Sequence, residues 1–161
     1  SCSTSSTKST HTYTQNIKFM KKHNYKNLRI WSEGINLSEQ VYDYADDLPA
    51  KEKFGLWSQI TRAGVSIPSN IAEGSARSDR NFKNYLRMSL GSSFELETQL
   101  LICQRRKYGQ AEKLTSLIEE VQKEQRMIFN FMNGLPDSPM RGTVTTLILT
   151  LVGLLSGIYF F

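Results

Sequence analysis

The sequence predicts an all-α protein, an antiparallel up-down-up-down bundle of four helices spanning residues 25–136. Three observations predict it. Apolar residues recur at intervals of three and four through four consecutive stretches, which lines one face of a 3.6-residue helix. Nothing in that region alternates apolar and polar residues as a half-buried strand does. The stretches are separated by Pro49, by Ser78-Asp79, by Tyr108-Gly109, and are closed by Gly134 with Pro136. These breaks are short, so sequential helices must run antiparallel.

Helix one is expected over residues 27–47. Its stripe is Ile30, Leu37, Val41, Tyr44 and Leu48, flanked by Trp31, Ile35 and Tyr42, with Pro49 closing it. Helix two should span residues 51–73, carrying Leu56, Ile60, Ala63, Ile67 and Ile71. Pro68 lies inside that pattern. An interior proline lacks a backbone donor and clashes with the carbonyl four residues back, at a cost of ~3 kcal/mol. Apolar periodicity on both sides of it therefore specifies a helix kinked at Pro68, with Gly74 as its C-cap. Helix three begins after Ser78 or Asp79, both good N-caps, and runs to about residue 107. It carries Phe82, Tyr85 or Leu86, Leu90, Phe94, Leu96, Leu100 and Leu101. Helix four, residues 111–133, carries Leu114, Leu117, Val121, Ile128 and Phe131, with Leu135 beyond it. Trp31, Ile35, Tyr42 and Tyr85 make the stripes too wide for one core, so a second buried face and self-association are expected.

Outside this domain, residues 1–24 are rich in Ser, Thr, Lys and Asn and read as a disordered basic arm. The chain's net charge of +5 owes four lysines, Lys8, Lys18, Lys21 and Lys22, to that arm. Residues 24–134 hold fifteen Lys and Arg against fourteen Asp and Glu, so nucleic-acid binding would need a local patch rather than a basic domain. The start is polar, unlike a signal peptide. Cys2 and Cys103 form no disulfide framework, which places the chain in the cytoplasm. Residues 137–161 form a hydrophobic tail. Its last nineteen residues, 143–161, carry no charge and contain Gly153 and Gly157 at the G-x-x-x-G spacing of packed membrane helices. They read either as a C-terminal membrane attachment or as a non-native extension.

Catalysis has little to work with. His11 and His23 both fall in the arm, where no general base is held in place. No Cys/His cluster has zinc spacing and no glycine-rich loop cradles phosphate, so no metal and no cofactor is expected. Glu95 and Glu97 are two apart on a helix and point away from each other, so they cannot share a metal. The expectation is a protein without enzymatic activity.

Polar residues with other roles remain. Asn70 and Glu73 share a helix face beyond Pro68; they either grip a partner or satisfy carbonyls freed by the proline. Glu95 is placed to make a buried polar pair fixing register between helices two and three. Arg77, Arg80, Lys83 and Arg87, then Arg105, Arg106 and Lys107, give seven bases against three acids along helix three. Arg80, Lys83 and Arg87 follow i, i+3, i+7 and line one face. Helix one is acidic, through Glu33, Glu39, Asp43, Asp46 and Asp47. The basic row reads as a phosphate-binding stripe, as a complement to the acidic helix of a second copy, or as an ordinary solvated face.

Two strings carry a family resemblance: Val65-Ser66-Ile67-Pro68-Ser69-Asn70-Ile71-Ala72-Glu73-Gly74, and Ser89-Leu90-Gly91-Ser92-Ser93-Phe94-Glu95-Leu96-Glu97-Thr98-Gln99-Leu100. With Lys26-Asn27-Leu28-Arg29-Ile30-Trp31 and Glu52-Lys53-Phe54-Gly55-Leu56, they resemble the small four-helix-bundle proteins encoded by intervening sequences within bacterial 23S rRNA genes. The resemblance covers residues 25–134. It implies a homopentameric ring of bundles and, from the gene location, an rRNA context. A more distant likeness is to the accessory variability proteins of diversity-generating retroelements, which implies a reverse transcriptase as partner. Two functions follow as expectations: a homo-oligomeric scaffold associated with rRNA or other nucleic acid, or a protein-interaction module that does not touch RNA.

Overall fold

The structure, a computed structural model, describes residues 23–136. The hydrophobic tail, and with it the membrane question, lies outside the described residues, as does most of the arm. Four α-helices carry the described residues: α1 (Arg29–Ala45), α2 (Leu56–Ser75), α3 (Asp79–Arg106) and α4 (Ala111–Gly134). Short 3-10 turns precede α1 at Tyr25–Asn27 and α2 at Ala50–Glu52. There is no strand among the described residues. Each helix packs against two others, α1 on α2 and α4, α3 on α2 and α4, while the backbones of the diagonal pairs stay apart. This is a four-helix bundle.

The core is what the 3.6-residue period predicts. Ile30, Leu37, Val41 and Tyr44 of α1 face Ile60, Ile67 and Ile71 of α2; Phe82, Leu86, Leu96 and Leu100 of α3 and Val121 and Ile128 of α4 complete it. Two assignments on α3 are corrected. Phe94 is half exposed and Leu101 is exposed. The buried line of α3 runs Leu86, Ser89, Ser93, Leu96, Leu100 and Cys103, and each misplaced residue lies one or two positions, some 100 to 200°, around the helix from it. The core line passes through two serines instead, which an apolar count skips.

Those serines and small residues set how closely the helices approach. Pro68 leaves the carbonyl of Gly64 without its usual N–H partner. Ser38 Oγ of α1 stands 3.0 Å from that oxygen and 2.8 Å from Gly34 O. The freed acceptor is thus met from the neighbouring helix, and Asn70 instead donates to Ser66 O (2.8 Å) and Ser66 Oγ (3.0 Å). Helical structure continues unbroken from Leu56 through Pro68 to Ser75. Across the α2–α3 seam, Ser89 Oγ donates to Ile67 O at 2.9 Å.

Both ends of α2 depart from the sequence reading. α2 starts at Leu56, five residues late, because Gly55 has non-helical φ −104° and ψ −113° and Glu52 Oε2 meets the Leu56 N–H at 3.5 Å. Gly74 is not a C-cap: the helix runs past it, and its missing side chain makes room for Phe82 and Tyr85. α3 ends in a Schellman motif, with Tyr108 N–H donating to Cys103 O at 3.0 Å and Lys107 N–H to Gln104 O at 3.1 Å. Lys107 holds the left-handed position at φ 57° where glycine is usual. Lys107→Gly should therefore raise stability by about 1 kcal/mol, read as a higher denaturation midpoint. An unchanged midpoint would mean that the Lys107 side chain repays its backbone strain.

Candidate nucleic-acid interface

The seven bases of the helix-three region do not form one patch. Arg80 and Arg106 are separated by 26 helical residues, about 39 Å at 1.5 Å per residue, so Arg77, Arg80, Lys83 and Arg87 gather at one end of the bundle and Arg105, Arg106 and Lys107 at the other.

At the first end most of the charge is engaged. Arg77 Nη2 lies 3.7 Å from Glu73 Oε1, which also accepts the Tyr85 hydroxyl at 2.8 Å. Arg87 Nη1 donates to Asn84 Oδ1 at 2.9 Å. Lys83 is half-buried and partnered as well. Arg80 alone is exposed and without a partner among the described residues. His23, assigned to the arm on composition, is instead held here. Its Nε2 lies 3.0 Å from Asp79 Oδ1 and its ring centroid 5.3 Å from that of Phe82. Both contacts are more than 50 residues away in sequence, so nothing local could have shown them.

The second end is built around Tyr108. Its hydroxyl donates to Glu52 Oε1 at 3.2 Å and accepts from Arg106 Nε and Nη2 at 3.3 and 3.0 Å. Arg106 Cζ and Lys51 Nζ lie 5.4 and 5.7 Å from the ring centroid, within cation–π range. Its backbone carbonyl accepts the Tyr44 hydroxyl at 3.0 Å, and burial keeps that buried phenol protonated far above the ordinary tyrosine range. The nearby acids are spoken for: Asp46 accepts from Trp57 Nε1 at 3.1 Å and Asp47 pairs with Lys113 at 2.9 Å. Lys53, Arg105 and Lys107 are exposed and have no partner among the described residues. Sequence reasoning missed Lys51 and Lys53. Their signal was the Lys51-Glu52-Lys53-Phe54 string after Pro49, whose glutamate joins the two loops.

The remaining candidate residues are structural. Glu95 is exposed rather than buried. It lies 3.6 Å from Arg62 of α2 and accepts from Gln99 at 3.1 Å, so the cross-helix link exists at the surface. Glu97, facing the other way, accepts from Gln122 and Gln125 of α4, each at 2.8 Å. Among the described residues the one buried carboxyl is Glu124, in the core line of α4 and only 2% exposed, and neither oxygen has a hydrogen-bond partner there. No group of three or more His, Cys, Asp and Glu is placed to hold a metal among those residues. No described helix is long and apolar enough to cross a membrane.

Residues 26–130 match the 23S rRNA-intervening sequence protein family. The chain belongs to that family. The match takes in both ends of α3, the Tyr108 cluster and Phe54, and begins just after His23. A crystal structure of a protein with unknown function, from the S23 ribosomal protein family of Bacteroides thetaiotaomicron, shares the fold: TM-score 0.60 at 24% identity, covering 65% of this chain and 95% of that one. No curated protein matches this 23S rRNA-intervening sequence family member.

Proposed function

We propose that this family member is a non-enzymatic, homo-oligomeric helical scaffold that associates with RNA, rRNA being the class its family name points to, and that it works in the cytoplasm. The observation that carries the reading is the set of exposed cations left without any partner among the described residues at the ends of α3: Arg80 at one, Lys53, Arg105 and Lys107 at the other. Free cations near each other displace counterions from a phosphate backbone, whereas cations already paired with carboxylates contribute little. In this reading the antiparallel up-down-up-down bundle, bent at Pro68, assembles into a pentameric ring. Val65 of α2 and Met88, Phe94, Leu101 and Ile102 of α3, all exposed, supply apolar surface for assembly. Repetition around a ring multiplies a weak contact into avidity.

The same exposed apolar residues favour the second reading, a protein-interaction module such as a reverse-transcriptase accessory subunit that binds no RNA itself. Gel shifts of the full chain with structured RNA across a salt series separate the two. The scaffold reading expects a saturable shift that weakens steeply as salt rises. Arg105→Glu with Lys107→Glu should cut affinity by roughly tenfold or more, while light scattering shows an unchanged oligomer. The triple reversal of Arg80, Lys83 and Arg87 to Glu should also weaken binding, since Arg87 donates only to the neutral Asn84 amide and keeps its charge. No saturable shift at low salt would leave the interaction module.

A further inference from the structure

We propose that Phe54 is a stacking platform for an unpaired nucleobase, so that the Tyr108 end of the bundle recognises single-stranded rather than duplex RNA; this rests on the RNA reading above. Phe54 is 93% exposed, the most exposed of the large apolar side chains among the described residues. No described residue covers the ring, so its apolar face is open to a partner. Its exposure is built, not a loop flaw. Glu52 stands two residues before it, Gly55 N–H donates to Glu52 O at 2.9 Å, and Lys53 N–H donates to Ala50 O at 3.3 Å. Glu52 in turn is tied to α2 through Leu56 and to the α3–α4 turn through Tyr108. The ring is presented on a backbone braced from two sides.

What surrounds it selects the occupant. Phe54 belongs to the short span 51–54, which also carries Lys51 and Lys53, and Lys51 and Glu52 of that span reach the Tyr108 ring and hydroxyl, so the platform belongs to the end of the bundle that holds Arg106 and Tyr108. The one carboxylate within that span, Glu52, already accepts from Tyr108. An apolar partner surface would be met by uncompensated cations, which cost free energy to desolvate. A single strand offers both complements at once, a π-face for the ring and phosphates for the lysines and arginines. A duplex offers phosphates only, because its bases are stacked and closed to side chains.

Fluorescence anisotropy of the full chain, with a labelled mixed-sequence RNA single strand and a duplex of equal length, tests this. Wild type should prefer the single strand. Phe54→Ala should weaken single-strand binding roughly tenfold and leave duplex binding unchanged. Phe54→Trp should restore the preference and Phe54→Leu should not, because stacking needs an aromatic face. A full preference in Phe54→Leu, or in Phe54→Ala, overturns the proposal while RNA binding itself stands. So does a fall in oligomer mass on Phe54→Ala with RNA affinity untouched, which would make the ring a protein contact. If wild type binds neither RNA, the scaffold reading falls and this one with it. Circular dichroism should show every variant folded, since the replaced side chain touches solvent.

Discussion

Raising the pH from about 5 to about 8 should shift the unfolding equilibrium toward the unfolded chain by up to tenfold per pH unit, and Glu124→Gln should remove that slope. Glu124 sits in the core line of α4 with both carboxyl oxygens unpartnered among the described residues. Burial pushes its pKa up to about 8, with the Glu33 carboxylate adding to the rise, Lys123 opposing it and Glu120 adding a little more. In the unfolded chain the same group is an ordinary glutamate that gives up its proton near pH 4.3. Between those two values the folded state binds one proton more than the unfolded state, so stability declines as pH rises and levels off above about 8. The difference between wild type and Glu124→Gln isolates this group from every other titration. Glu124→Leu should go further and raise stability at pH 9 by about 2 kcal/mol or more, because it removes an unsatisfied polar group from the core. A wild-type profile parallel to that of Glu124→Gln from pH 5 to 8 would show that the carboxyl is ionised and satisfied.

Gly74→Ala should destabilise the fold by about 3 kcal/mol, whereas Gly91→Ala should stabilise it by about 0.5–1 kcal/mol. Both glycines lie inside helices, and in isolation alanine is the better helix former at each. What differs is the space. A Cβ on Gly74 would stand 2.5 Å from Tyr85 Cβ and 2.7 Å from Phe82 Cδ2, while one on Gly91 meets nothing within 4 Å. Tyr85 Cβ cannot swing aside as a side-chain tip can, so α2 and α3 must part there, and Phe82 loses core contacts. Urea midpoints of the two variants measure the contrast. Equal midpoints would mean that the α2–α3 seam yields at no cost.

Much of this was legible beforehand. Ile30, Leu37, Val41, Tyr44, Ile60, Ile67, Leu100, Val121 and Ile128 announce themselves by spacing alone, because helical geometry converts sequence interval into direction. That suffices for helix number, helix type and most of the core. Family membership followed from ordered motifs such as the one around Pro68. Periodicity is local, though, and errors arise where the deciding neighbour is distant. Phe94 fits an apolar list, yet α3 turns its serines inward there, Ser89 donating to Ile67 O across the seam and Ser93 to Leu90 O of its own helix. Gly74 resembles a helix stop until Phe82 and Tyr85 arrive against it.

The candidate site divides in the same way. The sequence by itself determined which cations exist, and that the helix-three region concentrates them. Only the tertiary structure decided which are free. Arg77 is engaged by Glu73, Arg106 by Tyr108 and Lys113 by Asp47, while Lys53, Arg105 and Lys107 are left to solvent. It also decided that Glu52 joins two loops two residues before an exposed Phe54. The reason is physical. Charge and hydropathy belong to a residue, but pairing, desolvation and exposure belong to what the fold brings next to it.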